Sequence, residues 1–263
     1  MEYTKINEYV HRMVIPYKDI FTTVYTVEYE GGAILVDAAT FESDVTDYVV
    51  PMLNELAISQ DKLKYIFITH NHTDHAGGVS YLSERYPNAV ILTRSPALKE
   101  KYPELNIKMP EDGEEIDGIF KVVAIPGHSL DSMALYDTRT KMLITGDSLQ
   151  LYGIFGSQDW GSNIGLPAEH IEAVSRLRDI DIESIYSAHD FHPYGFSFVG
   201  KEAVSKALDA CVTPLLNTRD LILKNPTLSD AEIREIYNAS AKIPPVREGV
   251  FAKVRDAMTN GKM

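Results

Sequence analysis

The spacing of hydrophobic and polar positions changes several times along the chain. From Phe21 to Tyr29, β-branched and aromatic residues dominate; Gly31-Gly32 supplies a turn signal, and Ala33-Ile34-Leu35-Val36 returns as an unbroken apolar run. This predicts a hairpin over residues 20–40. A helix is expected at 44–57, with Pro51 imposing a kink or a late start. Tyr65-Ile66-Phe67-Ile68 reads as a buried strand ending at Thr69. Gly77-Gly78 leads into a helix that stops before Pro87, and Ala89 to Thr93 forms the next strand. Three short strands follow at 119–125, 133–137 and 142–145, separated by Pro126-Gly127 and by Asp137-Thr138-Arg139. Residues 148–166 are rich in Gly, Ser and aromatics without a period and read as a functional loop. A helix at 167–179 and a strand at 183–187 complete this part.

Beyond Gly200 the pattern turns helical, because Val204, Ala207, Leu208, Cys211, Val212 and Leu215 recur at three- and four-residue spacing. Ser229-Asp230-Ala231-Glu232 fits a capping box opening a helix at 230–238. Two blocks of strands with helices between and after them predict a layered α/β sandwich over residues 1–199 and a C-terminal helical extension over 200–263. No Pro/Gly/Ser-rich linker marks that boundary. The extension suits either a cover over one side of the site or a homodimer contact.

Composition changes the picture chiefly by exclusion. A chain of 263 residues with 44% hydrophobic and 24% charged positions can bury a sizeable core. A formal net charge of −13 argues against a nucleic-acid partner, which needs Lys and Arg to displace counterions from phosphates. Lys201, Lys206, Arg219 and Lys224 read as solvated helix faces rather than a binding patch. The single cysteine, Cys211, reads as a small buried hydrophobe. With no basic-then-apolar leader and no long apolar run, the expectation is a cytoplasmic chain with no membrane contact, acting on a small molecule.

The candidate chemistry sits in His70-Asn71-His72-Thr73-Asp74-His75, four metal-ligand types within six positions at the end of an apolar strand. Imidazole and carboxylate suit zinc and other borderline first-row ions. In an extended stretch His70 and His72 share a face, while the following turn can aim Asp74 and His75 toward a neighbouring ion. His128, Asp147 and His189 each follow a short apolar run into a turn, so five of the eight histidines fall on one pattern. His11 and His170 have no motif around them and read as structural.

His-x-His-x-Asp-His followed by a lone His, a lone Asp and a last His resembles the metallo-β-lactamase fold superfamily, over roughly residues 10–195. Val36-Asp37 is similar to that family's aspartate at an equivalent strand end. The resemblance implies a four-layer αββα sandwich with a metal site along one edge of the sheets. By the same comparison His70, His72 and His128 hold one divalent ion, Asp74, His75 and His189 hold a second, and Asp147 bridges them. Asp37 then orients a ligand by hydrogen bonding. Zinc is the expected metal, with iron and manganese as alternatives.

Two such ions share a water and lower its pKa from ~15.7 toward ~7, so a bridging hydroxide can cleave an ester, thioester or lactone. Asp74 is a candidate proton carrier. Within the family, oxygen-reducing members carry a carboxylate at the position of His72, and antibiotic-cleaving members lack an aspartate at that of Asp147. Both departures favour glyoxalase II-like thioesterases and lactonases. An iron-dependent oxidoreductase of the sulfur dioxygenase type and a phosphodiester hydrolase stay open as alternatives. Tyr152, Phe155, Trp160, His192 and Tyr194 are candidate substrate-pocket residues, with ordinary packing as the competing reading.

Overall fold

The computed structural model describes residues 3–149, 151, 163–191, 194–240 and 248–263. Of the candidate pocket residues, Tyr152, Phe155, Trp160 and His192 lie outside this set. Among the described residues two sheets stack face to face. The first runs in chain order: β1 (Thr4–Lys5), β2 (Val10–Tyr17), β3 (Ile20–Tyr29), β4 (Gly32–Val36), β5 (Leu63–Phe67), β6 (Val90–Leu92) and β7 (Ile107–Lys108). Its first four strands pair antiparallel and its last four parallel. The second sheet holds β8 (Glu115–Ile116), β9 (Phe120–Ala124), β10 (Met133–Asp137), β11 (Met142–Ile144), β12 (Ser184–Tyr186) and β13 (Ser197–Val199), with neighbours again in chain order.

Both sheets are apolar on both faces, which is why strands such as Gly32–Val36 and Met133–Asp137 are buried at every position rather than alternating. Between the sheets, Tyr25, Ile34, Phe67, Phe120, Leu135 and Ile144 form the central core. On the outer face of the first sheet lie α1 (Glu42–Asp44), a π turn (Val45–Val49), α2 (Val50–Glu55), α3 (Thr73–Ala76), α4 (Val79–Arg85) and α5 (Pro96–Lys101). The second sheet is covered by α6 (Pro167–Leu177) and the first half of α7 (Lys201–Lys224). The order of layers is therefore helix, sheet, sheet, helix, as expected for an αββα sandwich.

Pro51 does not break the helix around it. The turn just before it widens, with Val50 N–H reaching back to the carbonyl of Val45, and the proline falls in the first turn of α2. A missing N–H costs least there, and the extra residue of a π turn gives the ring room. The hairpin turn is Glu30-Gly31 rather than Gly31-Gly32, since Gly32 already pairs with Tyr29.

The second half of α7 packs with α8 (Asp230–Ser240) and α9 (Glu248–Thr259) around Leu215, Ile222, Ile233, Tyr237 and Phe251. The Ser229 capping box forms, with Ser229 N–H on Glu232 Oε2 at 2.8 Å and Glu232 N–H on Ser229 Oγ at 3.3 Å. One helix thus belongs to both the sandwich and the C-terminal cluster. Cys211 is fully buried in it, and burial pushes its thiol pKa up. No helix among the described residues is long and apolar enough to cross a membrane.

Candidate metal centre

All seven sequence-predicted ligand residues meet at one edge of the sandwich. Strand β5 hands the chain through Ile68-Thr69 to His70; His72 is the N-cap of α3, and Asp74 and His75 lie within that short helix. His128 follows β9, Asp147 follows β11 and His189 follows β12. The first sheet therefore contributes four of the residues and the second sheet three. The sheets are tied at this edge by Met133 N–H on the Thr69 carbonyl at 2.9 Å and Tyr25 Oη–H on the Ser187 carbonyl at 2.7 Å.

The seven form two groups that share Asp147, one of His70, His72, His128 and Asp147, the other of Asp74, His75, Asp147 and His189. In the first, His72 Nδ1 lies 3.0 Å from His70 Nε2 and 2.9 Å from His128 Nε2, with Asp147 Oδ2 3.7 Å from the latter. In the second, His75 Nε2 and His189 Nε2 each lie 3.3 Å from Asp74 Oδ2, and 3.3 and 3.1 Å from Asp147 Oδ1. Donors on one tetrahedral ion at ~2.0–2.1 Å stand ~3.3 Å apart, so these separations fit a shared cation. Buried His75 Nε2, His189 Nε2 and Asp74 Oδ2 have no hydrogen-bond partner. Such a cluster is costly to leave unsatisfied unless something positive sits among the atoms.

The other ring nitrogens are all engaged except on exposed His72. His75 Nδ1 faces Asp37 Oδ2 at 2.8 Å, and Thr69 Oγ1 bridges His70 Nδ1 at 3.1 Å to the same carboxylate oxygen at 3.0 Å. His128 Nδ1 donates to the Asn163 carbonyl at 2.7 Å and His189 Nδ1 to the Phe21 carbonyl. Each contact places the Nδ1 proton on an acceptor and aims Nε2 inward, the nitrogen a metal ligand would use.

Electrostatics separates the two groups. Burial lowers His70 well below the usual imidazole range and pushes His128 down to about 4, so both rings are neutral and ready to donate a lone pair. In the second group burial also disfavours charge, but Asp74, Asp147 and Asp37 outweigh it and raise His75 well above the usual range. His189 rises to about 9 because Asp147, with Asp74, overcomes its burial. Reciprocally, burial would raise Asp74 and Asp147, and the two imidazolium rings hold both well down. Asp37 is raised by burial, against the pull of His75 and two hydrogen bonds from Thr69.

Two glycines permit this convergence. Gly146 turns the chain into Asp147 at a φ of +55°, and a Cβ there would sit 2.3 Å from Thr69 Oγ1. A Cβ on Gly127, beside His128, would sit 2.5 Å from the His170 ring. Sequence reasoning missed Thr69, Asp131 and the Asn163 and Phe21 carbonyls. Asp131 joins two ligand loops by accepting Asn71 N–H at 3.0 Å and Ser129 Oγ–H at 2.7 Å. Thr69, next to His70, was legible as a hydroxyl at the strand end; backbone acceptors carry no residue-type signal. Tyr194 is exposed, and its N–H donates to the Phe191 carbonyl at 2.7 Å.

A sandwich of this layering with paired His/Asp clusters at one sheet edge defines a metal-binding α/β class. The family model described as the metallo-beta-lactamase superfamily matches residues 17–189, and the chain belongs to that superfamily. It is 29% identical over 172 residues to a hydroxyacylglutathione hydrolase of Thermosynechococcus vestitus, covering 64% of this chain and 62% of that protein. The chain spans 55% to 62% of the length of the first curated relatives it matches. Among solved structures, a metallo-beta-lactamase family protein from Thermus thermophilus superposes with a TM-score of 0.65 at 16% identity, covering 98% of this chain and 95% of that one. A rubredoxin oxygen:oxidoreductase from Desulfovibrio gigas gives 0.64 at 20% identity, covering 80% and 61%, so the fold also occurs in an oxidoreductase.

Proposed function

We propose that the chain is a two-metal hydrolase of small-molecule thioesters, with esters and lactones as neighbouring substrates. The observation that carries this reading is Asp147, whose Oδ1 faces the His75–His189 pair while Oδ2 faces His128. One carboxylate shared by two nitrogen-rich groups is the arrangement that sets two cations side by side. His70, His72 and His128 would hold one ion, Asp74, His75 and His189 the other. When bound, such a pair lowers the pKa of water toward neutrality and polarises an acyl oxygen.

The chain's own residues set the terms of that chemistry. Asp37, through Thr69 and His75, fixes two rings by one carboxylate, so the ligands are oriented before any ion arrives. Asp74 has its Oδ2 at the junction of His75 and His189. Its depressed pKa keeps it ionised, suited to accept a hydrogen bond from an attacking water and orient it. His72 is exposed while the other ligands are buried, which puts the open side of the first group toward solvent and substrate.

The thioester preference is supported by the hydroxyacylglutathione hydrolase relatives, at 28–31% identity. Zinc is proposed as the metal on the donor set. The test is metal analysis of the purified protein with a panel of a hydroxyacylglutathione, aryl esters, lactones and phosphodiesters. Two zinc ions per chain and fastest turnover of the thioester are expected. Iron with oxygen consumption, or turnover confined to phosphodiesters, overturns the reading.

A further inference from the structure

His128 has two immediate supports, one leading into the C-terminal helical cluster and the other to α7 where it packs on the second sheet. One support is the segment 163–166. The Asn163 carbonyl takes the His128 Nδ1 proton, and the next residue, Ile164, is fully buried in the cluster of Leu215, Ile222, Ile233 and Phe251. Gly165 N–H and Leu166 N–H then both donate to the Gly127 carbonyl at 2.8 Å, stapling this segment to the residue before His128. The other support is His170 of α6, whose ring fills the space where a Gly127 side chain would be. His170 Nε2 donates to the Cys211 carbonyl of α7 at 3.2 Å. Burial keeps that imidazole neutral, pushing it down to about 4, so the ring has one proton and the Cys211 contact fixes it on Nε2.

We propose that Ile164 and His170 are positioning residues through which α7–α9 set the ring orientation and tautomer of His128, and so the affinity of the His70–His72–His128 group for its ion. The inference rests on the reading of that group as metal-binding. The helices also join the sandwich through the first half of α7, but the contacts made by Asn163, Gly165, Leu166 and His170 end on Gly127 and on His128 Nδ1. Ligand geometry tolerates only ~0.5 Å or 10–20° of drift before binding suffers, so a loosened cluster is felt first at this ring.

The test uses the full chain with zinc, titrated in two steps against a chromophoric chelator, and nitrogen-15 imidazole spectra to assign each step to its group. Wild-type protein that takes up no zinc overturns the metal reading itself, and with it this inference. With wild type binding two ions, His170→Leu and Ile164→Ala are expected to weaken the ion at the His128 group about 10–100-fold and leave the other within about twofold. The His128 Nδ1–H signal should broaden in both. His170→Gln, which keeps a donor for Cys211, should recover most of the affinity. If His170→Leu or Ile164→Ala fails to fold, Ile164→Val gives the same selective loss at about threefold, in proportion to its smaller cavity. Folded variants with wild-type affinities, or with equal losses at both ions, overturn the proposal.

Discussion

Asp37 concentrates more of the site's geometry than any ligand does. It sits at a φ of +67°, a left-handed conformation that aspartate tolerates better than most side chains, and this turn points its carboxylate back at Thr69 and His75. Asp37→Asn keeps the shape but replaces one acceptor oxygen with a donor facing His75 Nδ1 and Thr69 Oγ1. Zinc affinity should fall about 10–100-fold, read by chelator competition, with the fold intact by circular dichroism. A second expectation follows from the contrast between neutral His70 and His128 and charged His75 and His189. An ion would have to displace protons from the second pair but not from those two rings, so zinc affinity of the second group should fall more steeply than that of the first as pH drops from about 8 to about 6. Zinc content of protein dialysed across that range checks it. In the metal-free protein the sign reverses. The His189 pKa is raised from 6.5 to about 9, so its contribution to stability is complete below about pH 6.5 and lost as pH rises through 9. Asp74 and Asp147 are shifted down, so theirs is present above their ordinary pKa and lost in acid.

At the scale of elements, runs whose side chains all meet a core on both faces were the most legible. The β3–β4 hairpin, β5, β9 to β11, α6, α7 and α8 follow from apolar runs, turn residues and three-four spacing. Among the strands that escaped, β1, β2, β7 and β8 have a physical reason. In β2, Val10-His11-Arg12-Met13-Val14-Ile15-Pro16-Tyr17 mixes buried His11 with an exposed Val14, so neither period stands out. His11 belongs there because Glu28 on the neighbouring strand pairs with it at 3.3 Å. Strands β1, β7 and β8 are two residues each, too short to carry a pattern. In the site, side chains announced by a motif were readable, while Asn163 and Phe21 act through their backbone and could not be. Phe120 on β9 offers a test of the packing between the sheets, since it is fully buried and meets the Tyr29 ring at 5.3 Å. Phe120→Ala should destabilise the chain by about 3–5 kcal/mol in a denaturant titration. Zinc stoichiometry should be unchanged, because the ligands hang from strand ends rather than from the strand interiors.

Across the whole molecule, each of the two His/Asp groups draws on both sheets. His70 and His72 from the first sheet meet His128 from the second; Asp74 and His75 from the first meet His189 from the second, and Asp147 joins the two sets. A cation in either group would therefore cross-link the layers at one edge, adding to the Met133–Thr69 and Tyr25–Ser187 hydrogen bonds already there. An ion that binds the folded state alone stabilises it by about 4 kcal/mol at a thousandfold excess over its Kd. At about 2–4 °C per kcal/mol for a chain near this size, stripping both ions with a chelator should lower the Tm by well over 10 °C. The loss should also have a place. Amides of Thr69, Met133, Asp147 and Ala188, at the site edge, should lose hydrogen-exchange protection on metal removal, while those of β9 and β10 at the far end near Asp137 and Phe120 keep theirs. Uniform loss over both sheets would mean that the ions stabilise the fold as a whole rather than pinning this edge.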